Sequence, residues 1–431
     1  MFDLTGPIVR SRLEPDFYKF TMGQLIWRKY GQVDVTFSFR NRTPAARLGE
    51  AIDLSELRQH LDHARSLMFT NSELHYLRGT NEYQERMFDE GYLEFLRTLR
   101  LPDYHLARRG DDIELEFSGP WAHVTYWETM ALSIVNETYY RTLLRRLSRF
   151  EREAIFAEGI RRLRAKLLVL RERPDVVFSD FGTRRRFSGA WQIYVDETLR
   201  DELNDGASEG QFLGSSNTYA AMVAGLVPMG TAAHELPMVI AGALDAGDAD
   251  PDWLRRAQRQ VIDDWWEQYG WGLSIFLPDT FGSEFFFGVL SDDDLRRWKG
   301  FRWDSGPLDA FGERVIRAYE EIGVDPREKM LVASDALDLP AMLDGQERFG
   351  GRIRVSHGWG TGLTNDLLDN AMVGDRWFGP MSLVLKPTRA DGRGLVKLSD
   401  NPAKAIGAPA DVARYKRAAG YVERDAIPLK Y

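Results

Sequence analysis

Five short segments carry the residues best able to do chemistry. Asp180-Phe181-Gly182-Thr183-Arg184-Arg185-Arg186-Phe187 sets three arginines directly after an apolar run. A guanidinium pairs with a carboxylate or phosphate through a two-pronged fork, and Phe181 offers an aromatic face to a planar ring. Gly214-Ser215-Ser216-Asn217 precedes an apolar helical stretch from Tyr219 to Leu226. Free backbone N–H groups at such a helix start favour an anion, although Ser and Asn are equally the usual helix caps. Met229-Gly230-Thr231-Ala232-Ala233-His234-Glu235 crowds small residues around a histidine, leaving room for a bulky ligand. A neutral imidazole acts as nucleophile or base near pH 7, but a lone histidine is also a common structural residue. Arg302-Trp303-Asp304-Ser305-Gly306, with Asp279-Thr280-Phe281 upstream, suits a phosphorylated sugar, with arginine on phosphate and carboxylates on hydroxyls or Mg²⁺. Ser334-Asp335-Ala336-Leu337-Asp338 is followed by Gly358-Trp359-Gly360-Thr361-Gly362-Leu363-Thr364-Asn365-Asp366, a Gly-rich turn leading into a helical stretch. Backbone N–H groups in such a turn hold phosphate.

The elements that must position these groups follow from the hydrophobic rhythm. Val176 to Asp180, Leu273 to Asp279 and Met330 to Asp335 are apolar runs ending in polar residues, separated by amphipathic helical segments. Ile353 to Ser356 and Leu383 to Lys386 continue the series. Unbroken apolar runs of this kind read as buried parallel strands, and helices between them give βα units. The expected fold is α/β, an irregular βα barrel. In a βα barrel the strand C-termini carry the site, so Asp180, Asp279 and Asp335 are all expected to face it. Each alone could instead cap the helix that follows. The N-terminal part differs. Val35 to Phe39 and Ile113 to Phe117 alternate at period two like half-buried antiparallel strands, with helices from Leu57 to Met68 and Leu93 to Leu99 between them. A long helical stretch follows from Glu128 to Glu172. The expected division is a smaller α+β domain over residues 1–140, joined by 388–431, and a barrel domain over 141–387.

Composition narrows the classes. Lys+Arg 56 against Asp+Glu 65 gives a net charge of −9, which argues against sequence-independent nucleic-acid binding. The absence of cysteine excludes disulfides, Cys-ligated zinc, iron–sulfur clusters and thiol nucleophiles. Met1-Phe2-Asp3-Leu4 shows no secretory pattern, and no stretch approaches the ~20 apolar residues that span a bilayer. A cytoplasmic enzyme without a membrane partner is expected.

In order along the chain, these segments resemble the nicotinate phosphoribosyltransferase family. The resemblance begins at Asp16-Phe17-Tyr18-Lys19-Phe20-Thr21-Met22, takes in the five segments above, and ends with Val396-Lys397-Leu398-Ser399-Asp400-Asn401-Pro402-Ala403-Lys404. It implies a type II phosphoribosyltransferase barrel with a smaller domain built from both chain ends, working as a homodimer with shared active sites. Tyr18 would cross from the neighbouring subunit and stack on the pyridine ring opposite Phe181. Arg184 and Ser216 would hold the nicotinate carboxylate. Arg302, Asp304 and Asp279 would bind ribose and pyrophosphate with Mg²⁺, Asp335 would contact substrate, and Gly360 and Thr361 would hold the 5-phosphate. His234 would be phosphorylated by ATP and drive mononucleotide formation from nicotinate and phosphoribosyl pyrophosphate, which is ligase chemistry at the first step of NAD synthesis from nicotinate.

Four positions depart from the family's usual residues. Ser215 stands for Thr, Leu236 for Trp, Trp359 for Ile and Gly362 for Asn, the last three bearing on the shape of the ATP and phosphate pockets. Two alternative readings stand behind this one. A nicotinamide-using relative carries Asp where this chain has Ser216. A barrel lyase or aldolase wants a Schiff-base lysine, for which Lys386 is the sole candidate at the expected strand ends.

Overall fold

The computed structural model describes residues 4–82, 85–204, 210–245, 247, 250, 252–368 and 372–429. Seven short strands, buried and mostly apolar except at the exposed Val227–Pro228 edge, form one parallel sheet. Its order is Val227–Pro228, Phe212–Ser215, Phe178–Asp180, Arg354–Trp359, Met330–Ala333, Gly300–Trp303 and Ile275–Phe276. The chain lays these strands around the bore in sequence, and the last returns to the first, His357 pairing with Phe178 and Trp359 with Asp180. The series stays open between Val227–Pro228 and Ile275–Phe276. Pro228 has no N–H to offer a further strand, which suits it to that edge. The barrel expected from sequence is therefore a curled half-barrel. Amphipathic helices cover it; Leu308–Glu321 buries Phe311, Val315 and Tyr319 at four-residue spacing.

The smaller unit is a five-stranded antiparallel sheet in the order Arg393–Gly394, Leu383–Ala390, Asp34–Asn41, Asp112–Pro120 and Tyr104–Arg109. Val35 and Phe37 on one strand, and Ile113, Leu115 and Phe117 on its neighbour, turn inward at period two as the alternation predicts. Leu383 to Lys386, expected as a parallel barrel strand, belongs here: it runs antiparallel to Asp34–Asn41, with Lys386 opposite Ser38. An apolar run does not say which sheet buries it. The chain thus rejoins the smaller unit at Leu383 rather than after 387.

The helical stretch from Glu128 is two helices, Trp127–Arg145 and Arg149–Arg171. Ser148 breaks it, exchanging capping hydrogen bonds with Glu151. Trp127–Arg145 packs on both the Leu383–Ala390 strand and the Thr183–Arg185 turn, and so ties the small sheet to the loop that opens the half-barrel. No helix among the described residues is long and apolar enough to cross a membrane.

Candidate active site

Two adjoining cavities occupy the C-terminal end and bore of the half-barrel, of about 560 Å³ and 700 Å³. Tyr18, Phe181, Arg184 and Arg302 line both, so the planar and forked groups stand where the two meet. The first cavity is also lined by His234, Asp304, Asp335, Gly360 and Thr361. Residues separated by more than 340 positions in the chain thus share one wall.

His234 sits just before the helix Glu235–Leu244 and is 5% exposed. Its Nε2 is 2.9 Å from Asp304 Oδ2, and its Nδ1 is 2.9 Å from Thr280 Oγ1. Burial, and next the charge of Lys397, push its pKa down to about 4, against the pull of Asp279 and Asp304. The ring is therefore neutral at pH 7. An ionised Asp304 can only accept, so Nε2 carries the hydrogen and Thr280 donates to Nδ1. Burial alone would raise Asp304, but His234, Arg302 and Lys404 hold it well below the usual carboxylate range. Arg302 reaches Asp304 Oδ1 at 3.3 Å and Ser334 Oγ at 2.8 Å. Ala336 (φ 47°) in this wall and Ser399 (φ 66°) behind it, bonded to Asp279 and Ser305, hold left-handed backbone conformations without being glycine. Such strain persists where the surroundings fix it.

Phe181 lies flat against the sheet because position 358 is glycine; a Cβ there would come within 2.3 Å of the ring. The Arg302 guanidinium stands 5.8 Å from its centroid. Gly182 packs under Thr364 in the same manner, at 2.0 Å from Oγ1 to a notional Cβ, which locks the arginine turn to the helix Thr361–Thr364 that follows Gly360. Of the three adjacent arginines, Arg184 and Arg185 face the first cavity. Arg184 donates no hydrogen bond to a described residue; the nearest carboxylate, Glu128 Oε1, is 4.0 Å from Nη1. Arg186 turns the other way and is buried against Glu14 at 2.7 Å.

Tyr18 arrives from its own chain. The arm that precedes it runs beside the Gly214–Asn217 loop, with Phe17 N–H donating to Ser216 O at 2.7 Å. Gly230 makes room for it, since a Cβ there would lie 2.8 Å from Tyr18 N. Within one chain, Tyr18 thus already lines both cavities.

Three other expected site residues need redrawing. Asp180 lines neither cavity. It is buried and accepts from Gln192 Nε2 (2.6 Å), Ser215 Oγ (2.7 Å) and Gly182 N (2.7 Å), bracing the loops from behind. Burial pushes its pKa up to about 6. Ser216 lines the bore, but its hydroxyl donates to Asp16 Oδ1 at 2.7 Å, so its proton is already committed. Asn217 caps the following helix at Ala220 N, so at Gly214–Asn217 the capping role prevails over anion binding. Asp279, on the turn Pro278–Thr280, lies behind His234 rather than in the cavity wall, with Oδ1 3.6 Å from Nε2 and Oδ2 accepting from Ser305 at 2.6 Å. Asp335 does line the cavity and pairs with Lys404 at 2.5 Å.

The sequence reading gave no binding role to four cations on the same wall, Arg42, Lys386, Lys397 and Lys404. Lys397 Nζ stands 3.6 Å from Asp279 and 3.8 Å from Asp304, and Lys386 Nζ is 2.6 Å from Glu128. Lys397 and Lys404 fall in the last segment of the resemblance, to which no role had been given. It also missed Asp16, whose pKa burial raises. The departures at Leu236 and Trp359 point away from the cavity into the core, Trp359 packing on Phe178 at 5.7 Å. Gly362 O accepts from Lys166 at 2.7 Å.

His234, Asp279 and Asp304 offer ligand atoms within 4.8 Å of one another. Asp279 Oδ1 is buried without a hydrogen-bond partner. Two carboxylates with an unspent oxygen fit a hard, oxygen-seeking cation, whereas the imidazole adds little for Mg²⁺. Taken whole, the wall is a cationic cavity with a neutral imidazole and the Asp304 carboxylate at its floor, Asp279 behind them, opening beside an aromatic slot.

Comparison with known proteins identifies the family and the fold. Residues 176–421 match the nicotinate phosphoribosyltransferase (NAPRTase) family and residues 13–136 its N-terminal domain. A nicotinate phosphoribosyltransferase from Vibrio cholerae superposes with a TM-score of 0.83 at 28% identity, over 97% of this chain and 96% of that one. Another, from Porphyromonas gingivalis, gives 0.81 at 26%, over 96% and 100%. A Saccharomyces cerevisiae protein at 24% identity shares the fold, with a TM-score of 0.82 over 97% and 100%. The chain belongs to the nicotinate phosphoribosyltransferase family.

Proposed function

We propose that the protein forms nicotinate mononucleotide and pyrophosphate from nicotinate and phosphoribosyl pyrophosphate, coupled to ATP hydrolysis through a transient phosphohistidine at His234. The observation that carries this reading is the meeting of Tyr18, Phe181 and the unspent Arg184 fork at the mouth of a cavity lined by seven cationic side chains, Arg42, Arg184, Arg185, Arg302, Lys386, Lys397 and Lys404. Nicotinate is a flat ring with one carboxylate. Tyr18 and Phe181 take its faces and Arg184 its carboxylate, while Ser216 serves only as an acceptor because its proton is held by Asp16. Asp16, beside the ring slot, would favour an amide NH₂ if ionised, so nicotinamide is the second reading; burial, which raises its pKa, weakens it.

Nicotinate nitrogen attacks the anomeric carbon of phosphoribosyl pyrophosphate as the bond to pyrophosphate breaks. Gly360 and Thr361 hold the 5-phosphate, while Arg302, Lys397 and Lys404 oppose the growing charge of the leaving group. Asp279 and Asp304 would hold Mg²⁺, which when bound neutralises pyrophosphate charge. His234 supports a separate step. Its neutral imidazole takes the terminal phosphoryl group of ATP as ADP leaves, and water later releases phosphate. Tyr18, Phe181 and Arg184 of one chain line the same site. The test is mononucleotide and ADP production from nicotinate and phosphoribosyl pyrophosphate with and without ATP. His234→Ala should remove the ATP-dependent gain and retain the basal reaction; an unchanged gain refutes the phosphohistidine.

A further inference from the structure

Glu128 is the second residue of the helix Trp127–Arg145 and is fully buried, yet it meets four groups on three separate elements. Its Oε2 is 2.6 Å from Lys19 Nζ and 3.3 Å from the Tyr18 hydroxyl. Its Oε1 is 2.6 Å from Lys386 Nζ and 4.0 Å from Arg184 Nη1. One oxygen therefore addresses the arm that carries Tyr18, and the other addresses the wall that carries the guanidinium fork.

Neutralising Lys19 does not explain this arrangement. Lys19 already has a second carboxylate, Glu235, and the Thr125 hydroxyl at 3.3 Å. Glu235 in turn accepts from Trp121 Nε1 and Thr125 Oγ1, each at 2.6 Å. That part of the network is satisfied without Glu128. What Glu128 alone contributes is a common anchor for Tyr18, Lys386 and Arg184. The helix start favours a carboxylate there, and the helix body, packed on the arginine turn, keeps it from moving.

We propose that Glu128 is the positioning residue of the ring site, one buried carboxylate that sets the Tyr18 ring, the Arg184 fork and Lys386 in register for a planar aromatic acid. It touches no substrate; it fixes the spacing between stack and fork. The proposal rests on the nicotinate reading given above.

Charge and position make opposite predictions for its removal. Glu128→Gln deletes a negative charge beside the site, so electrostatics alone would tighten binding of an anionic ring. Loss of the anchor would loosen it. The expected result is a nicotinate KM raised on the order of tenfold or more, the scale of one charge-assisted hydrogen bond, with the phosphoribosyl pyrophosphate KM changed less than about twofold. Tyr18→Phe keeps the ring but removes its bond to Glu128. It should raise the nicotinate KM in the wild-type background and have a smaller effect in Glu128→Gln, where one neutral amide oxygen must serve Tyr18, Lys19 and Lys386 together. A nicotinate KM that falls or stays constant, a rise shared equally by both substrates, or a full Tyr18→Phe effect in the Glu128→Gln background overturns the proposal. If thermal melting finds Glu128→Gln unfolded, Glu128→Asp serves instead. It keeps the charge, withdraws the carboxylate by one methylene, and should give the same nicotinate-selective rise. Wild-type turnover of nicotinate is measured first. Its absence defeats the functional reading, whereas its presence beside an unaffected variant defeats only the positioning role.

Discussion

His234 should enter its reaction as a neutral ring and should stay neutral well below physiological pH. The fall from 6.5 to about 4 has burial as its main cause and the charge of Lys397 second. At ~1.4 kcal/mol per pH unit, that is about 3 kcal/mol of extra cost for protonating the ring in place. The sign for stability follows from linkage. The folded pKa lies below the unfolded one, so the unfolded chain takes the proton first as pH falls. The contribution is complete above pH 6.5, is lost progressively below it, and is gone at about 4. By about pH 5 roughly 2 kcal/mol of it should be lost.

Urea denaturation of the wild type and His234→Asn at about pH 8 and about pH 5 isolates this effect. Asp279 and Asp304 keep Lys397, Arg302 and Lys404 nearby in both proteins, so their acid dependence largely cancels in the comparison. The wild type should lose about 2 kcal/mol more than the variant. In the same pH range, phosphorylation of His234 by ATP should show no acid limb near 6.5, and Lys397→Met should move the limb upward by removing the second cause. Parallel stability losses, or a ring that titrates near 6.5 by NMR, would refute the argument.

Two further outcomes separate site from scaffold. Mixing Tyr18→Ala and Arg184→Ala proteins should restore no activity, because each chain carries its own Tyr18 to its own cavity; recovery of mononucleotide formation would mean that the ring site is completed across subunits. Arg186→Met should destabilise the fold by about 3–5 kcal/mol, because it leaves the Glu14 carboxylate buried without its ion partner, whereas Glu137 keeps Arg141. The nicotinate KM of the folded protein should be unchanged, and a selective loss of nicotinate binding would show that Arg186 reaches the ligand.

How far the sequence revealed this site depends on what each residue type can signal unaided. Four of the seven parallel strands were legible because a strand buried on both faces must be apolar throughout, and two strands of the small sheet because alternation marks one buried face. Phe212–Ser215, Val227–Pro228 and Gly300–Trp303 carry too short an apolar run to be read. Leu383 to Lys386 defeated that logic: an apolar run reports burial, not the sheet that provides it. The aspartates at the strand ends show the same limit. Asp180, Asp279 and Asp335 occupy like positions in sequence, yet one braces the loops, one backs the histidine and one faces the cavity. The difference lies in partners drawn from distant segments, Gln192 and Ser215 for the first, Ser305 and Ser399 for the second, Lys404 for the third.

The three arginines make the point geometrically. The Thr183–Arg185 turn is a 3₁₀ helix, with three residues to a turn, so successive side chains leave it about a third of a circle apart. Three identical neighbours must therefore point three ways, and only one can lie beside the Tyr18–Phe181 slot. Arg184 takes that place, Arg185 lines the cavity beside Ser382, and Arg186, just past the turn, enters the core. The sequence marks the turn as basic; the turn's pitch decides which guanidinium is left to meet a carboxylate. Glu128 was invisible for a related reason. A glutamate at a helix start is ordinary, and this one becomes particular only when the fold brings an arm from residue 18, a turn from residue 184 and a strand from residue 386 to its two oxygens. Convergence of that kind is a property of the fold, so a variant that moves the carboxylate while keeping its charge is the sharpest probe of whether the convergence matters.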